Sequence, residues 1–346
     1  MTRLGVGIIG AGPVTQAIHL PVLVGLADRF RVTRVMDIDG GLAAEVAARA
    51  GAVPGTDVDE LLADPAVDVV AICSPHRFHA EQVISACAAG KRAVLCEKPL
   101  ATSAEEAARI EGAAAASGVP LLIGTMHAYD PAYAAARRHW GDLPDQATLL
   151  RSVIYLPAND VMVASSTDPA LPPRPATAAA ANGQAAALPH PPTMRDAILG
   201  LAMHNLPLIR EFVPETGRVR FAQMLRPWGY SVALSTGDRA VQLIGLMPGQ
   251  WAPDWTLRVC GGDQELRVSF PPSYVLAGSA TAELNTHGER VSWHYPENGY
   301  QAEWAHLADV AEGRAEPLIS VADAVADLVY ASEIADLAAA AVGSHE

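Results

Sequence analysis

Basic residues are few. Lysine and arginine number 24 against 38 acidic residues in a chain of 346, a formal net charge of −14. Such a field repels phosphate backbones and anionic lipid, which argues against nucleic acid and membrane surfaces as partners. Cysteine is scarcer still. Cys73, Cys87, Cys96 and Cys260 lie far apart with no C-x-x-C pair. That spacing fits neither a structural zinc site nor a disulfide framework, and it suits a reducing cytosol. His139, His190, His287, His294, His306 and His345 show no metal-ligand spacing, so no metal is expected. The longest uncharged stretch, between Arg174 and Arg195, is rich in alanine and broken by prolines, unlike a bilayer span. Met1-Thr-Arg-Leu leads into glycines and a proline without the form of a signal peptide. The expectation is a soluble cytoplasmic protein. G-x-S-x-G and Walker sequences are also missing, which argues against an α/β-hydrolase or a P-loop NTPase.

The remaining composition, 50% apolar and 18% charged, is that of a globular protein, and the length suggests two domains. Over residues 1–125, short apolar runs at Leu4–Ile9, Arg31–Met36, Val67–Ile72, Ala93–Cys96 and Leu121–Ile123 predict buried strands. Ala43–Ala50, Ala80–Ala89 and Ala104–Ala116 predict helices. Ser103 and Glu106 suggest a capping box for the last, which Gly118-Val-Pro120 stops. This alternation predicts an α/β fold, a doubly wound parallel sheet of Rossmann type.

After about Pro131 the pattern changes. A strand is expected at Thr148–Leu156, then a long loop or lid at Pro157–Thr193, then a helix at Ile198–Phe212. β-like runs follow at Arg220–Leu225, Tyr230–Ser235, Val241–Leu246, Thr256–Cys260, Glu265–Ser269 and Val291–His294. Gly/Asp turns between them suggest antiparallel hairpins. Helices at Gln301–Glu312 and Val321–Ala341 close the chain. Residues 126–346 thus read as an α+β domain on a large, mostly antiparallel open sheet, its final helices free to pack back on the first domain.

The strongest local signal is Val6-Gly-Ile-Ile-Gly10-Ala-Gly12-Pro13-Val14-Thr15, a strand running through glycines into a helix. Gly10 allows a tight turn, and Gly12 lets a pyrophosphate approach backbone N–H groups at a helix N-terminus. Thr15 stands where a third glycine or alanine is usual, so the fingerprint is incomplete. Asp37, at the end of the second strand, suits the two ribose hydroxyls of an adenosine and repels a 2′-phosphate, which favours NAD over NADP. Ser74-Pro75-His76-Arg-Phe-His79 and Glu97-Lys98-Pro99 each follow a predicted strand, where ligands bind in open α/β sheets. Taken alone, Lys98 reads most plainly as a surface lysine.

These pieces in this order resemble the Gfo/Idh/MocA family, that of glucose–fructose oxidoreductase and inositol dehydrogenase. The resemblance runs over nearly the whole chain. It takes in Gly-Ile-Ile-Gly10-Ala-Gly12, His19-Leu-Pro21, Asp37-Ile-Asp39, Ser74-Pro75 with His79, and Glu97-Lys98-Pro99-Leu100. It continues through Tyr129-Asp-Pro131-Ala-Tyr133 and Gly313…Pro317…Ser320…Asp323-Ala324. It implies that Lys98 is catalytic, beside the nicotinamide and the reacting carbon, and that Glu97 lies near the nicotinamide ribose. Ser74, Pro75, His76 and His79 then join Gly10, Gly12, Pro13, Val14 and Asp37 around the cofactor, with His79 alternatively a helix-start residue.

The family's helical Asp-x-x-x-His has its best match at Gly200-Leu-Ala-Met-His204-Asn-Leu-Pro207. His204 takes the catalytic histidine's place, but Gly200 replaces the aspartate and Pro207 replaces an often acidic position. Asp196 is a candidate substitute. Met126 and His127 are candidate substrate-pocket residues, and Trp228, Trp251, Trp255 and Trp293 read as packing residues of the β region.

The resemblance implies an NAD-dependent oxidoreductase, with NADP possible, acting on a secondary alcohol or ketone of a sugar, cyclitol or polyol. Lys98 holds the substrate oxygen, and His204 acts as acid/base or relay. It further implies a homodimer or homotetramer through the second-domain sheet. Two alternatives stay open: a dinucleotide-binding sensor without chemistry, which Gly200 favours, and an NAD-dependent glycosidase.

Overall fold

A computed structural model describes residues 3–157, 161, 193–247 and 254–343. Apart from its ends and Val161, the segment read as a loop or lid at Pro157–Thr193 lies outside the described residues, as do His190, Trp251 and His345. The chain forms two units. Of the described residues, the first holds those up to Thr125 together with Tyr300–Ala326; the second holds Met126–Val161, those from Thr193 to Gly299, and those from Asp327 onward.

The first unit is built on six strands: β1 (Leu4–Ile9), β2 (Phe30–Met36), β3 (Val53–Gly55), β4 (Val69–Ile72), β5 (Ala93–Glu97) and β6 (Leu121–Gly124). All pair in parallel, in the order β3-β2-β1-β4-β5-β6. β1, β4, β5 and β6 are buried along their whole length, which is why they read as unbroken apolar runs rather than alternating ones. β1 hydrogen-bonds to both β2 and β4, so the strand order reverses there. Ligands of such sheets bind outside the carboxyl ends at that reversal.

Helix starts carry oxygen caps. Asp39 accepts from the amides of Gly41 and Leu42, and Asp57 from those of Asp59 and Glu60. The capping box expected at Ser103 is only half made. The Ser103 hydroxyl takes the Glu106 amide, but the Glu106 carboxylate turns to the amide and hydroxyl of Thr102, at 2.8 and 2.6 Å. β3 and the helix Val58–Ala63 have no clear sequence signal, being short, part-exposed and interrupted by Pro54. Helix Gly299–Ala311 enters this unit from Tyr300 onward. Its Trp304, fully buried, meets Phe30 edge-on at 5.2 Å.

The second unit carries eight strands: β7 (Ala147–Tyr155), β8 (Arg218–Leu225), β9 (Trp228–Thr236), β10 (Arg239–Met247), β11 (Asp254–Gly261), β12 (Gln264–Ser269), β13 (Thr281–Thr286) and β14 (Glu289–Trp293). Their order is β14-β13-β12-β11-β7-β10-β9-β8, and all neighbours are antiparallel except β7 and β10. Hairpins turn at Thr236-Gly-Asp238 and Gly261-Gly-Asp263, as their turn residues predict.

The single helix expected at Ile198–Phe212 is broken in three: a helix Met194–Leu201, a 3-10 turn Ala202–His204, and a helix Leu206–Arg210. Pro207 is the cause, because it has no N–H to continue the helical ladder, and the chain restarts at Asn205. The first piece opens on a complete capping box, Thr193 with Asp196. Among the described residues no helix is long and apolar enough to cross a membrane.

Candidate functional site

The chemistry-bearing residues form one cluster in each unit. In the first, β1 runs directly into Gly10, whose φ of +97° suits glycine. A Cβ there would stand 2.7 Å from the Ser74 amide nitrogen, so only glycine lets this turn tuck against the end of β4. Around Gly12 nothing lies within 4 Å of a Cβ position, leaving the backbone open to an incoming group. Thr15 explains its own departure from the glycine pattern. Its hydroxyl donates 2.5 Å to the Gly10 carbonyl and ties the helix start back to the turn. Pro13 is exposed and Val14 half-buried at the same edge. A turn of π-helix, Thr15–His19, follows at once.

Asp37 sits at the end of β2 with one carboxylate oxygen accepting the Ala11 amide at 2.8 Å and the other the Asp39 amide at 3.0 Å. The carboxylate is thereby fixed at the lip of the glycine turn. After β4, the Ser74 hydroxyl donates to Gln82 at 2.6 Å, and Pro75 and His76 are exposed. His79 is different. Its ring is buried, with both nitrogens 2.8 Å from carbonyl oxygens, those of Ser74 and Pro99, so it joins the loop after β4 to the loop after β5.

That second loop carries Glu97 and Lys98. The Glu97 carboxylate is buried, with one oxygen 3.0 Å from His19 Nε2 and the other accepting the Lys98 amide at 3.1 Å. Burial works to raise its pKa, but the His19 hydrogen bond and the Lys98 charge outweigh that and hold it below the usual carboxylate range. Burial of the Lys98 amine brings its pKa down to about 8, with Glu97 resisting. An amine so tuned can give or take a proton near neutrality.

In the second unit His204 closes the 3-10 turn, half-buried, with its ring edge-on to Trp255 at 4.8 Å and tilted to His127 at 6.0 Å. No side chain fits at position 200. A Cβ on Gly200 would fall 2.6 Å from Cζ2 of Trp228. Asp196 is not the substitute acid: it is exposed, and its carboxylate is committed to the amide and hydroxyl of Thr193 at 3.0 and 2.7 Å.

Met126 and His127 lie in the interior of this unit. His127 stacks on Phe270 at 3.6 Å, and Asn205 binds its Nδ1 at 2.9 Å. Asn205 Oδ1 also takes the indole N–H of Trp255 at 3.2 Å, and its amide nitrogen donates to Ser152 at 2.9 Å. An indole can only donate, which fixes the amide orientation and places a proton on His127 Nδ1. Trp255 packs, as expected, but within this cluster.

His19, Glu303, Trp304 and Asn205 escaped the sequence reading as site residues. His19 stood in a recognisable motif without an evident task, and Asn205 lay hidden beside His204.

Residues 4–125 match the oxidoreductase family described as having an NAD-binding Rossmann fold. Inositol 2-dehydrogenase 1 of Saccharopolyspora erythraea is 39% identical over 136 residues, 38% of this chain and 40% of that relative. Inositol 2-dehydrogenase of Paracoccus denitrificans is 37% identical over 139 residues, 39% and 40% of the two chains. The match thus spans 40% of the length of these curated relatives. UDP-N-acetylglucosamine 3-dehydrogenase of Acidithiobacillus ferrooxidans shares the fold with a TM-score of 0.72 at 18% identity, covering 99% of this chain and 100% of that one. A 3-ketoreductase of Actinomadura kijaniata, solved with NADP and TDP-benzene, gives 0.70 at 18% identity, covering 96% of each chain.

Proposed function

We propose that this chain, whose residues 4–125 match the Gfo/Idh/MocA oxidoreductase family, is a nicotinamide-dependent dehydrogenase interconverting a secondary alcohol and a ketone on a cyclitol, sugar or related polyol. One observation carries the reading: Lys98 stands at the carboxyl end of β5, the ligand-binding side of the parallel sheet, beside the buried carboxylate of Glu97. The residues present fit a dinucleotide, with the open backbone at Gly12 toward a pyrophosphate and the Asp37 carboxylate toward a ribose. Asp37 disfavours a 2′-phosphate, so NAD is preferred to NADP.

When bound, the nicotinamide supplies the exchange of hydride. In oxidation the neutral Lys98 amine hydrogen-bonds the substrate hydroxyl and takes its proton. In reduction the ammonium returns that proton to the oxygen. His204 is the second proton-handling group, carried by the second unit. The inositol dehydrogenases among the relatives favour a ring carbon bearing a secondary hydroxyl. Copies of the chain pair through the open face of the eight-stranded sheet, where Leu149 and Phe221 remain exposed.

The test is turnover of a panel of cyclitols and sugars with NAD and NADP, followed by the absorbance of reduced nicotinamide. Lys98→Ala should abolish turnover while cofactor titration stays near wild type. Retained turnover removes Lys98 from its role. A second reading, a dinucleotide-binding sensor without chemistry, is favoured by the indole of Trp228 standing where the family's aspartate belongs. Binding of NADH with no turnover on any panel member would select it.

A further inference from the structure

Two carboxyl groups, Glu97 and Glu303, face each other in the interior of the first unit, and only one of them is served. Glu303, on helix Gly299–Ala311, is 0% exposed, and neither of its oxygens has a hydrogen-bond partner. The nearby Thr125 backbone amide donates instead to the Ile123 carbonyl at 2.6 Å. On the same helix stand Tyr300 and Trp304, whose rings meet His19 edge-on at 5.8 and 5.9 Å. Glu303 and Glu97 feel each other's charge, and two carboxyls in one dry site do not both ionise.

The hydrogen bonds decide between them. The Trp304 indole can only donate, and it does so to His19 Nδ1 at 3.1 Å. Nε2 therefore carries the ring proton and gives it to Glu97 at 3.0 Å. Burial works against a charged ring, but the Cys73 sulfur and Glu97 outweigh it and raise the His19 pKa, while the indole opposes a proton on Nδ1. In either form Nε2–H reaches Glu97. The other Glu97 oxygen takes the Lys98 amide, so indole, imidazole, carboxylate and lysine backbone form one continuous chain.

We propose that His19, oriented by Trp304, is a positioning residue that assigns the buried negative charge to Glu97 rather than Glu303, and so fixes a counter-charge beside the Lys98 amine. The inference rests on the reading of Lys98 as the group that handles the substrate proton. The titratable groups that face Glu97 and His19 are Cys73 after β4, Cys96 and Lys98 on the β5 segment, and Glu303. In line with this partition, burial and the Glu97 charge push the Glu303 carboxyl well above its usual range.

The test needs neither cofactor nor turnover. The pH dependence of Lys98 acetylation by acetic anhydride, read by mass spectrometry, gives the titration midpoint of its amine. It is expected near 8 in the wild type. His19→Leu removes the donor to Glu97, the negative charge leaves it, and the midpoint should fall by about one unit, a tenfold change in the ammonium-to-amine ratio at fixed pH. His19→Gln offers an acceptor to the indole and a donor to Glu97, and should restore the wild-type midpoint. Glu303→Gln should leave it in place. An unmoved midpoint in His19→Leu, no restoration by Gln, or a shift in Glu303→Gln overturns the assignment. If His19→Leu is not recovered folded, His19→Phe takes its place: it keeps a ring against Tyr300 and Trp304 but has no donor for Glu97, and the midpoint should again fall. The expected midpoints without turnover of any polyol would overturn the functional reading and leave the charge assignment intact.

Discussion

The Trp228 indole fills the space that a side chain at position 200 would need, with Cζ2 only 2.6 Å from where a Cβ of Gly200 would stand. The glycine is therefore part of the packing between helix Met194–Leu201 and β9, and an aspartate cannot simply be put back. Gly200→Asp should destabilise the protein by about 1–3 kcal/mol, the usual cost of overpacking, with an added penalty for the part-buried charge. Chemical denaturation measures this. Adding Trp228→Ala should recover a good part of the loss, because it vacates the volume. Additive losses in the double variant would mean that the two residues are not coupled.

If Lys98 handles the substrate proton, its lowered pKa sets opposite pH limbs for the two directions of the proposed reaction. Below pH 8 the amine is charged and above it neutral. Alcohol oxidation needs the neutral base, so kcat/KM should climb about tenfold per pH unit toward 8 and level off beyond. Ketone reduction needs the ammonium, so its rate should be level at lower pH and fall above 8. Lys98→Arg keeps a positive charge at all these values and should lose the oxidation limb altogether. Identical limbs in both directions would contradict proton transfer by Lys98.

Much of the first unit could be read in advance because its strands are buried on both sides and each appears as a short apolar run ending in a turn. The capping-box motif at Ser103 was visible too, though Glu106 chose Thr102, a local competition that spacing cannot decide. Contacts between distant parts of the chain were another matter. His19 meets Trp304 across 285 positions, and Gly200 meets a tryptophan on a strand whose register no periodicity specifies. The helical pattern through His204 also hid the break at Asn205. Apolar spacing continues across it, and only the missing N–H of Pro207 signals the restart. β13, by contrast, gives little apolar signal, because only Ala282 and Leu284 of its six residues are apolar.

Asp37 should govern cofactor choice. Its carboxylate, held by the amides of Ala11 and Asp39, is aimed by backbone and not by another side chain. Asp37→Ala should weaken NAD binding about tenfold or more, the loss of charge-assisted hydrogen bonds to ribose hydroxyls. NADP should lose less or gain, since the repulsion of a 2′-phosphate disappears. Fluorescence titration with both reduced cofactors gives the ratio, and an unchanged ratio would remove Asp37 from discrimination.

Asn205 is the residue on which the His204 neighbourhood is hung. It is fully buried and joins β7 through Ser152, β11 through Trp255, and the segment of His127. Asn205→Ala leaves an indole N–H and an imidazole N–H without their acceptor in a dry interior, at about 1–3 kcal/mol for each stranded group. Asn205→Asp keeps the acceptor but loses the donor to Ser152 and adds a buried charge, so it should not rescue stability. Both variants should melt several degrees lower. If His204 handles protons, each should also lower kcat more than it raises KM, because the ring beside Trp255 loses its fixed orientation while the strand-end chemistry of Lys98 is untouched. A stability loss with unchanged kcat would show that this cluster holds the fold and takes no part in turnover.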